Sequence, residues 1–181
     1  MELRTQRLLL RELDVADAEA SNRYESNPDV TRYQSNDVCT LEESRAYIVR
    51  GLEMARAEPR RVFDLAVTRD GCFIGRVGLD IRDALNKQGM LWWVIDPAHQ
   101  NQGFATESAA ALVGFGFELH GLHRIYVDVD PRNVTSIRVA EKLGMKREAH
   151  LRENAFLKGE WVDSMILAIL DREWVTRASG R

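Results

Sequence analysis

This chain of 181 residues has two cysteines, four prolines and no long apolar run. Cys39 and Cys72 lack metal-ligand spacing and cannot build a disulfide framework, so two reduced thiols and no metal are expected. No segment approaches the ~18 continuous apolar residues of a membrane span, so no membrane contact is expected. Met1 to Arg7 carries charge but no apolar core with a small-residue cleavage site, so it does not read as a secretory signal and a cytoplasmic location is expected. The sequon Asn133-Val134-Thr135 therefore carries no weight. Charge of one sign is also missing. Lys and Arg number 25 against 28 Asp and Glu, a net of −3 without a basic run, which argues against nucleic acid as a partner. Repeats, linkers and low-complexity stretches are absent. With 45% hydrophobic residues the chain can bury a real core, and a single domain over 1–181 is expected.

What is present is a succession of strand and helix signals. Arg7 to Leu13 reads as a strand, and Asp14 caps a helix that runs to about Ser26 and stops at Asn27-Pro28. Thr40-Leu41-Glu42-Glu43 is a capping box, in which hydroxyl and carboxylate satisfy each other's orphan amides. The helix behind it sets Leu41, Ile48, Leu52 and Ala55 on one face and ends before Pro59. Val62 to Thr68 and Phe73 to Asp80 are strands joined at Arg69-Asp70-Gly71, a strong hairpin signal. Met90 to Ile95 is apolar without alternation, as in a strand covered on both faces. Phe104 to Leu119 has helical periodicity, with Ala105, Ala109, Leu112, Val113 and Gly116 inward. A strand Arg124 to Val129 and a helix Val134 to Leu143 follow, the helix closed by Gly144. Lys146 to Glu153 and Trp161 to Leu170 are the last strands, around Lys158-Gly159. The order β-α-α-β-β-β-α-β-α-β-β specifies an α/β or α+β sandwich on one central mixed sheet.

The run Gln100-Asn101-Gln102-Gly103-Phe104-Ala105-Thr106 joins the apolar strand to the long helix. The first amides of a helix have no intrahelical partner, and its dipole adds partial positive charge. Gly103 lets the backbone come close to a bulky phosphate. No Lys-Ser/Thr follows, so this is not a P-loop, and the spacing is not Gly-x-Gly-x-x-Gly. An ordinary strand-to-helix turn could carry the same residues, and the rest of the chain has to decide.

Gln-x-x-Gly-x-Ala resembles the pyrophosphate-binding motif of the GNAT acyl-CoA N-acyltransferases. Further stretches are similar to the RimJ/RimL-like branch of that family: Leu3-x-Thr5-x-Arg7-Leu8-x-Leu10-Arg11 with Asp14 and Asp17, then Asn27-Pro28-Asp29-Val30-Thr31-Arg32-Tyr33. Asn133-x-x-Ser136 ending in Lys142-Leu143-Gly144-Met145, and Gly159-Glu160-Trp161-Val162-Asp163, complete the series in order along nearly the whole chain. The resemblance implies a single domain built on a central mixed, mostly antiparallel seven-stranded sheet flanked by about four helices. It implies an acetyltransferase that uses acetyl-CoA and acts by direct attack of a primary amine in a ternary complex, with no nucleophilic residue. Its acceptor would be a protein or peptide N-terminal amine. The alternatives are a small-molecule amine (polyamine, amino acid or antibiotic) and, from another class, a catalytically weak acyl-CoA-binding module. A homodimer is compatible with it.

Residue roles carry over by position. The amides of Gln102, Gly103, Phe104, Ala105 and Thr106 would cradle the pyrophosphate, with Gln100 and Asn101 at the mouth of the turn. The family usually has Gly where Asn101 stands, and Asn tolerates a left-handed backbone. The strand before the turn would splay from its neighbour, freeing an amide near Val94 or Ile95 for the thioester carbonyl. Ser136 would protonate the leaving thiolate, unless a water does. Asn133 would hold the pantetheine, or simply cap its helix. Relatives often carry a Glu as the amine's base, and that position falls on Ala155, which cannot titrate. Glu153, two residues earlier on the same strand, is the substitute, unless it is only a solvated charge. Arg32, Tyr33, Trp92, Trp93 and Trp161 are the candidate acceptor-binding surface, although strand aromatics commonly belong to a core.

Overall fold

The structure, a computed structural model, describes residues 1–179, with side chains through residue 175. The hydrophobic pattern folds into one eight-stranded sheet in the order β1-β2-β3-β4-β5-β6-β8-β7. Its strands are β1 (Glu2–Arg4), β2 (Leu9–Glu12), β3 (Val62–Arg69), β4 (Cys72–Asp83), β5 (Gln88–Ile95), β6 (Arg124–Val129), β7 (Lys146–Leu157) and β8 (Glu160–Leu170). Neighbours are antiparallel except β5 and β6. The helices are α1 (Ala18–Glu25), α2 (Pro28–Thr31), α3 (Leu41–Ala55), α4 (Phe104–Glu118), α5 (Val134–Lys142) and α6 (Asp171–Ser179).

Strand alternation divides the core in two. Leu65 and Val67 of β3 join the main core with Leu112 and Val113 of α4 and Ile137 and Ala140 of α5. Ala66, between them, packs instead with Leu13, Ala18 and Ile48 beneath α1 and α3. Helices therefore cover both faces. The capping box at Thr40 forms as expected, with Glu43 Oε2 accepting from the Thr40 amide at 2.7 Å. The Asp70-Gly71 hairpin closes with φ of 50° and 80°, the left-handed pair that this two-residue turn needs.

Three differences from the sequence reading have local causes. β1 is an extra, short edge strand, so the sheet has eight strands rather than seven. α1 ends before Asn27-Pro28 as expected, but Asn27 then caps a new turn of helix, α2, with Pro28 in its first position, where a missing N–H costs nothing. α6 follows β8 directly, past the last element expected.

A charged cluster ties the α1–α3 layer to the sheet. Arg76 of β4 is 5% exposed and pairs with Glu25 of α1 and, at 3.4 Å, with Asp64 of β3. Ser44 of α3 donates to Glu25 at 2.9 Å, and the Tyr47 ring lies 4.0 Å from the Arg76 guanidinium carbon. Burial pushes the Asp64 carboxyl up to about 6, against the pull of Arg76.

The feature that positions the site is a parting of the sheet. β5 and β6 pair only at Gln88↔Arg124, Gly89↔Ile125 and Met90↔Tyr126, while β5 runs on to Ile95. Beyond Met90, β5 keeps only its β4 neighbour, from Leu91↔Leu79 to Ile95↔Gly75.

Candidate active site

The parting opens onto the turn after β5. Asp96 accepts from the Ala98 amide at 2.9 Å and starts a short 3-10 turn. The Gln100 side-chain amide donates to the Ile95 carbonyl at 2.9 Å and ties the turn to the strand end. Asn101 (φ 61°) and Gly103 (φ 84°) are both left-handed, and the chain enters α4 at Phe104. No side chain caps α4, so its first amides are left to a ligand.

Arg7 supports this turn from β2's leading loop. It donates to the Gln102 carbonyl at 3.0 Å and to Glu107 of α4 at 2.7 Å, and lies 4.6 Å over the Phe104 ring. Thr5 donates to Glu107 at 2.6 Å. Burial would raise the Glu107 carboxyl, but the bonds from Thr5 and Arg7 outweigh it and hold it below the usual range.

A cleft of about 430 Å³ runs from this turn. Its floor is Trp93, Val94 and Ile95, at the end of β5 where β6 has left. One wall is the turn itself, from Gln100 and Asn101 to Gly103, Phe104, Ala105 and Thr106. The opposite wall is α5, with Asn133, Ser136, Arg138 and Lys142. Asp29 of α2, with Tyr33 and Gln34 just after that helix, closes one end. Asn133 does both things the sequence allowed, since it caps α5 by accepting from the Ser136 amide at 3.1 Å and also lines the cleft.

Twelve of the residues singled out from sequence thus converge here, and five do not. Gln102 faces Arg7 through its carbonyl rather than lining the cleft. Arg32 lies over the Tyr33 ring at 5.4 Å, outside the cleft wall. Trp92 covers Gly78 so closely that a Cβ there would sit 2.1 Å from the indole, which makes it a layer residue. Trp161 is 61% exposed and edge-on to Phe156, on the β7–β8 hairpin. Glu153 is exposed, in a bulge with φ 49°, and does not line the cleft. Residues 152–154 face Asp163 alone, between Leu151↔Ser164 and Ala155↔Val162. The alternation argument that put Glu153 on the face of Ala155 fails at this bulge.

Sequence reasoning gave no site role to Arg7, Arg138 or Lys142, although Arg7 and Lys142 stand in the stretches that carry the resemblance. Arg138 and Lys142 were legible, because 135, 138, 139 and 142 share one helical stripe beside Ser136. Arg7 was not, since its partners lie about a hundred residues away.

Residues 7–146 match the family described as acetyltransferase (GNAT) domain. The chain belongs to the GNAT acetyltransferases. It is 32% identical over 174 residues to the uncharacterized N-acetyltransferase YnaD of Bacillus subtilis, covering 96% of this chain and 99% of that one. The spermidine N(1)-acetyltransferase of Escherichia coli is 24% identical, with 92% and 87% covered. Among solved structures, a GNAT acetyltransferase from Bacillus anthracis superposes with a TM-score of 0.84 at 30% identity, over 96% of this chain and all of that one. RimL, a ribosomal L7/L12 alpha-N-protein acetyltransferase in complex with coenzyme A, shares the fold at 18% identity with a TM-score of 0.83, over 94% and 98%.

This GNAT chain is an acetyl-CoA-dependent N-acetyltransferase. Its cleft fits that cofactor. The uncapped α4 terminus suits a pyrophosphate, and Arg138 and Lys142 add positive charge on the facing wall. The rival reading of a mere binding module falls away.

Proposed function

We propose that this acetyltransferase belongs to the RimJ/RimL-like branch and modifies the N-terminal amine of a protein or peptide. The observation that carries this is the mouth of the cleft. Two guanidinium carbons lie near the Tyr33 ring, Arg32 at 5.4 Å and Arg132 at 5.9 Å from its centroid. Lys158 donates to the Thr31 carbonyl at 2.5 Å and draws the β7–β8 hairpin against the same loop. Phe156 and Trp161 extend that hairpin as an exposed aromatic pair, 60% and 61% accessible. An exposed aromatic surface suits an extended peptide, and Arg132 beside it is paired with Asp130 at 2.6 Å and Glu160 at 2.9 Å. The second reading, a small-molecule amine such as spermidine, draws support from Asp29 on the cleft wall and from the similarity to spermidine N(1)-acetyltransferase.

Bound acetyl-CoA supplies an acetyl group activated as a thioester. In this reading the amides of Gly103 to Thr106 hold its pyrophosphate, assisted by Gln100, Asn101 and Gln102. A backbone amide freed near Val94 or Ile95 by the parting of β5 from β6 meets the developing oxyanion. One such preorganised donor is worth ~3 kcal/mol of barrier. The amine attacks directly in a ternary complex, and the Ser136 hydroxyl returns a proton to the leaving sulfur.

The test is thiol release from acetyl-CoA with a Ser-initiated peptide and with spermidine. We expect kcat/KM for the peptide to exceed that for spermidine at least ~10-fold, and blocking the peptide's N-terminus to abolish turnover. The reverse order would transfer the assignment to the small-molecule reading.

A further inference from the structure

We propose that Asp29 anchors the acceptor's ammonium, so that the cleft carries opposite charge on the two faces of the sheet and takes one substrate from each. The parting of the strands makes the cleft a passage. Ala66, Arg76 and Val94 form one row through the pairs Ala66↔Arg76 and Arg76↔Val94. Directly paired side chains share a face, and Ala66 packs beneath α1 and α3. Val94 is therefore on the α1–α3 face, while Ile95, next to it, belongs to the main core under α4 and α5. Both line the same cleft, and past Met90 no pairing with β6 closes the sheet between its faces.

The two ends differ in charge. On the α5 side the lining cations are Arg138 and Lys142, and the uncapped amides of α4 add partial positive charge. At the α2 end, Asp29 is the single carboxylate among the described residues that line the cleft. Its side chain is exposed and makes no hydrogen bond or ion pair with the described residues. The turn that carries it is braced. Asn27 Oδ1 accepts from the Asp29 amide at 3.0 Å, the Gln34 side-chain amide donates to the Val30 carbonyl at 3.2 Å, and Lys158 donates to the Thr31 carbonyl at 2.5 Å. A carboxylate without a partner of its own, on backbone already held, costs little to order around a cation.

The pyrophosphate is drawn to the α4–α5 face and the acceptor's ammonium to α2, which leaves the thioester across the parting between them. Val30 and Tyr33 line the cleft beside Asp29 and offer apolar surface to the carbon that bears the amine. The ammonium is the bound form. It passes one proton to water, which reaches the exposed carboxylate, before its nitrogen attacks. The ligand is an alkylammonium, the group that a peptide N-terminus and a polyamine share. The proposal rests on acetyl transfer to an amine and holds for either acceptor class.

The experiment separates binding from turnover. In Asp29→Asn, KM for the Ser-initiated peptide or for spermidine should rise at least ~10-fold, with KM for acetyl-CoA and the melting temperature unchanged. Asp29→Glu should recover part of the loss. Calorimetric titration of the coenzyme A complex with butylammonium reads the anchor without any reaction. Wild type should bind it, and Asp29→Asn should bind it at least ~10-fold more weakly. Equal binding by both proteins, or none by wild type, would overturn the proposal. A higher KM for acetyl-CoA together with a lower melting temperature would overturn it too, as the mark of a carboxylate that only steadies α2. If wild type turns over spermidine and not the peptide while butylammonium responds as expected, Asp29 stands and the N-terminal acceptor assignment falls.

Discussion

Gly103 stands at φ 84°, with an added Cβ 3.4 Å from the Arg7 guanidinium. A branched residue would meet both the left-handed backbone and that neighbour. Gly103→Val should weaken acetyl-CoA binding at least ~10-fold by calorimetry, for ~1–2 kcal/mol of backbone strain, while the melting temperature moves by only a few degrees. Gly103 was legible in the sequence because a strand, one glycine and a helix are local facts. Arg7 beneath it was not, because its role depends on a contact with Glu107 across the fold. Glu153 shows the opposite failure. Two-residue alternation is a sound rule for a regular strand, and nothing in Leu151-Arg152-Glu153-Asn154 announces a bulge.

At the scale of elements, α4 is fastened at its start by a segment far away in sequence. Glu107 accepts from Thr5, from the Arg7 amide at 2.8 Å and from the Arg7 guanidinium. Its folded pKa lies below the ordinary value. The stability it contributes is therefore present above that ordinary value and lost as pH falls through the depressed one. Glu107→Gln should lower unfolding free energy in urea by about 1–2 kcal/mol at pH 7, and the gap from wild type should narrow as acid protonates Glu107. An undiminished gap in acid would mean that packing, not charge, does the fastening. The elements themselves were largely legible: the Thr40 capping box, the Asp70-Gly71 hairpin and the helix starting at Phe104 all form where their local chemistry put them. β1 and α2 escaped notice because each is only three or four residues long, too short for periodicity to register.

For the molecule as a whole, the Glu25–Arg76–Asp64 cluster holds one helical layer to the sheet. Asp64 Oδ1 and Arg76 Nε have no partner in the described residues, so the cluster has little charge to spare. Arg76→Met would leave two buried carboxylates without their cation, at a cost of ~3–5 kcal/mol. With Asp64 raised to about 6, its stabilising contribution is full below its ordinary value and is lost as pH rises through 6. Thermal unfolding of Arg76→Met should therefore show a larger deficit at pH 8 than at pH 5. An equal deficit at both would show that the carboxylates stay protonated throughout. No helix among the described residues is long and apolar enough to cross a membrane.

The parting of β5 from β6 has a mechanical meaning as well. Two slabs of sheet, β1 to β5 and β6-β8-β7, are stitched by three registered pairs near one end. The other end is an open seam, bridged chiefly by the helices laid across it. A ligand that seats in the seam recognises only the closed, folded chain, and so it acts as a rivet. Cellular acetyl-CoA then sets more than the rate of turnover, because by mass action it also governs how firmly the two slabs stay together.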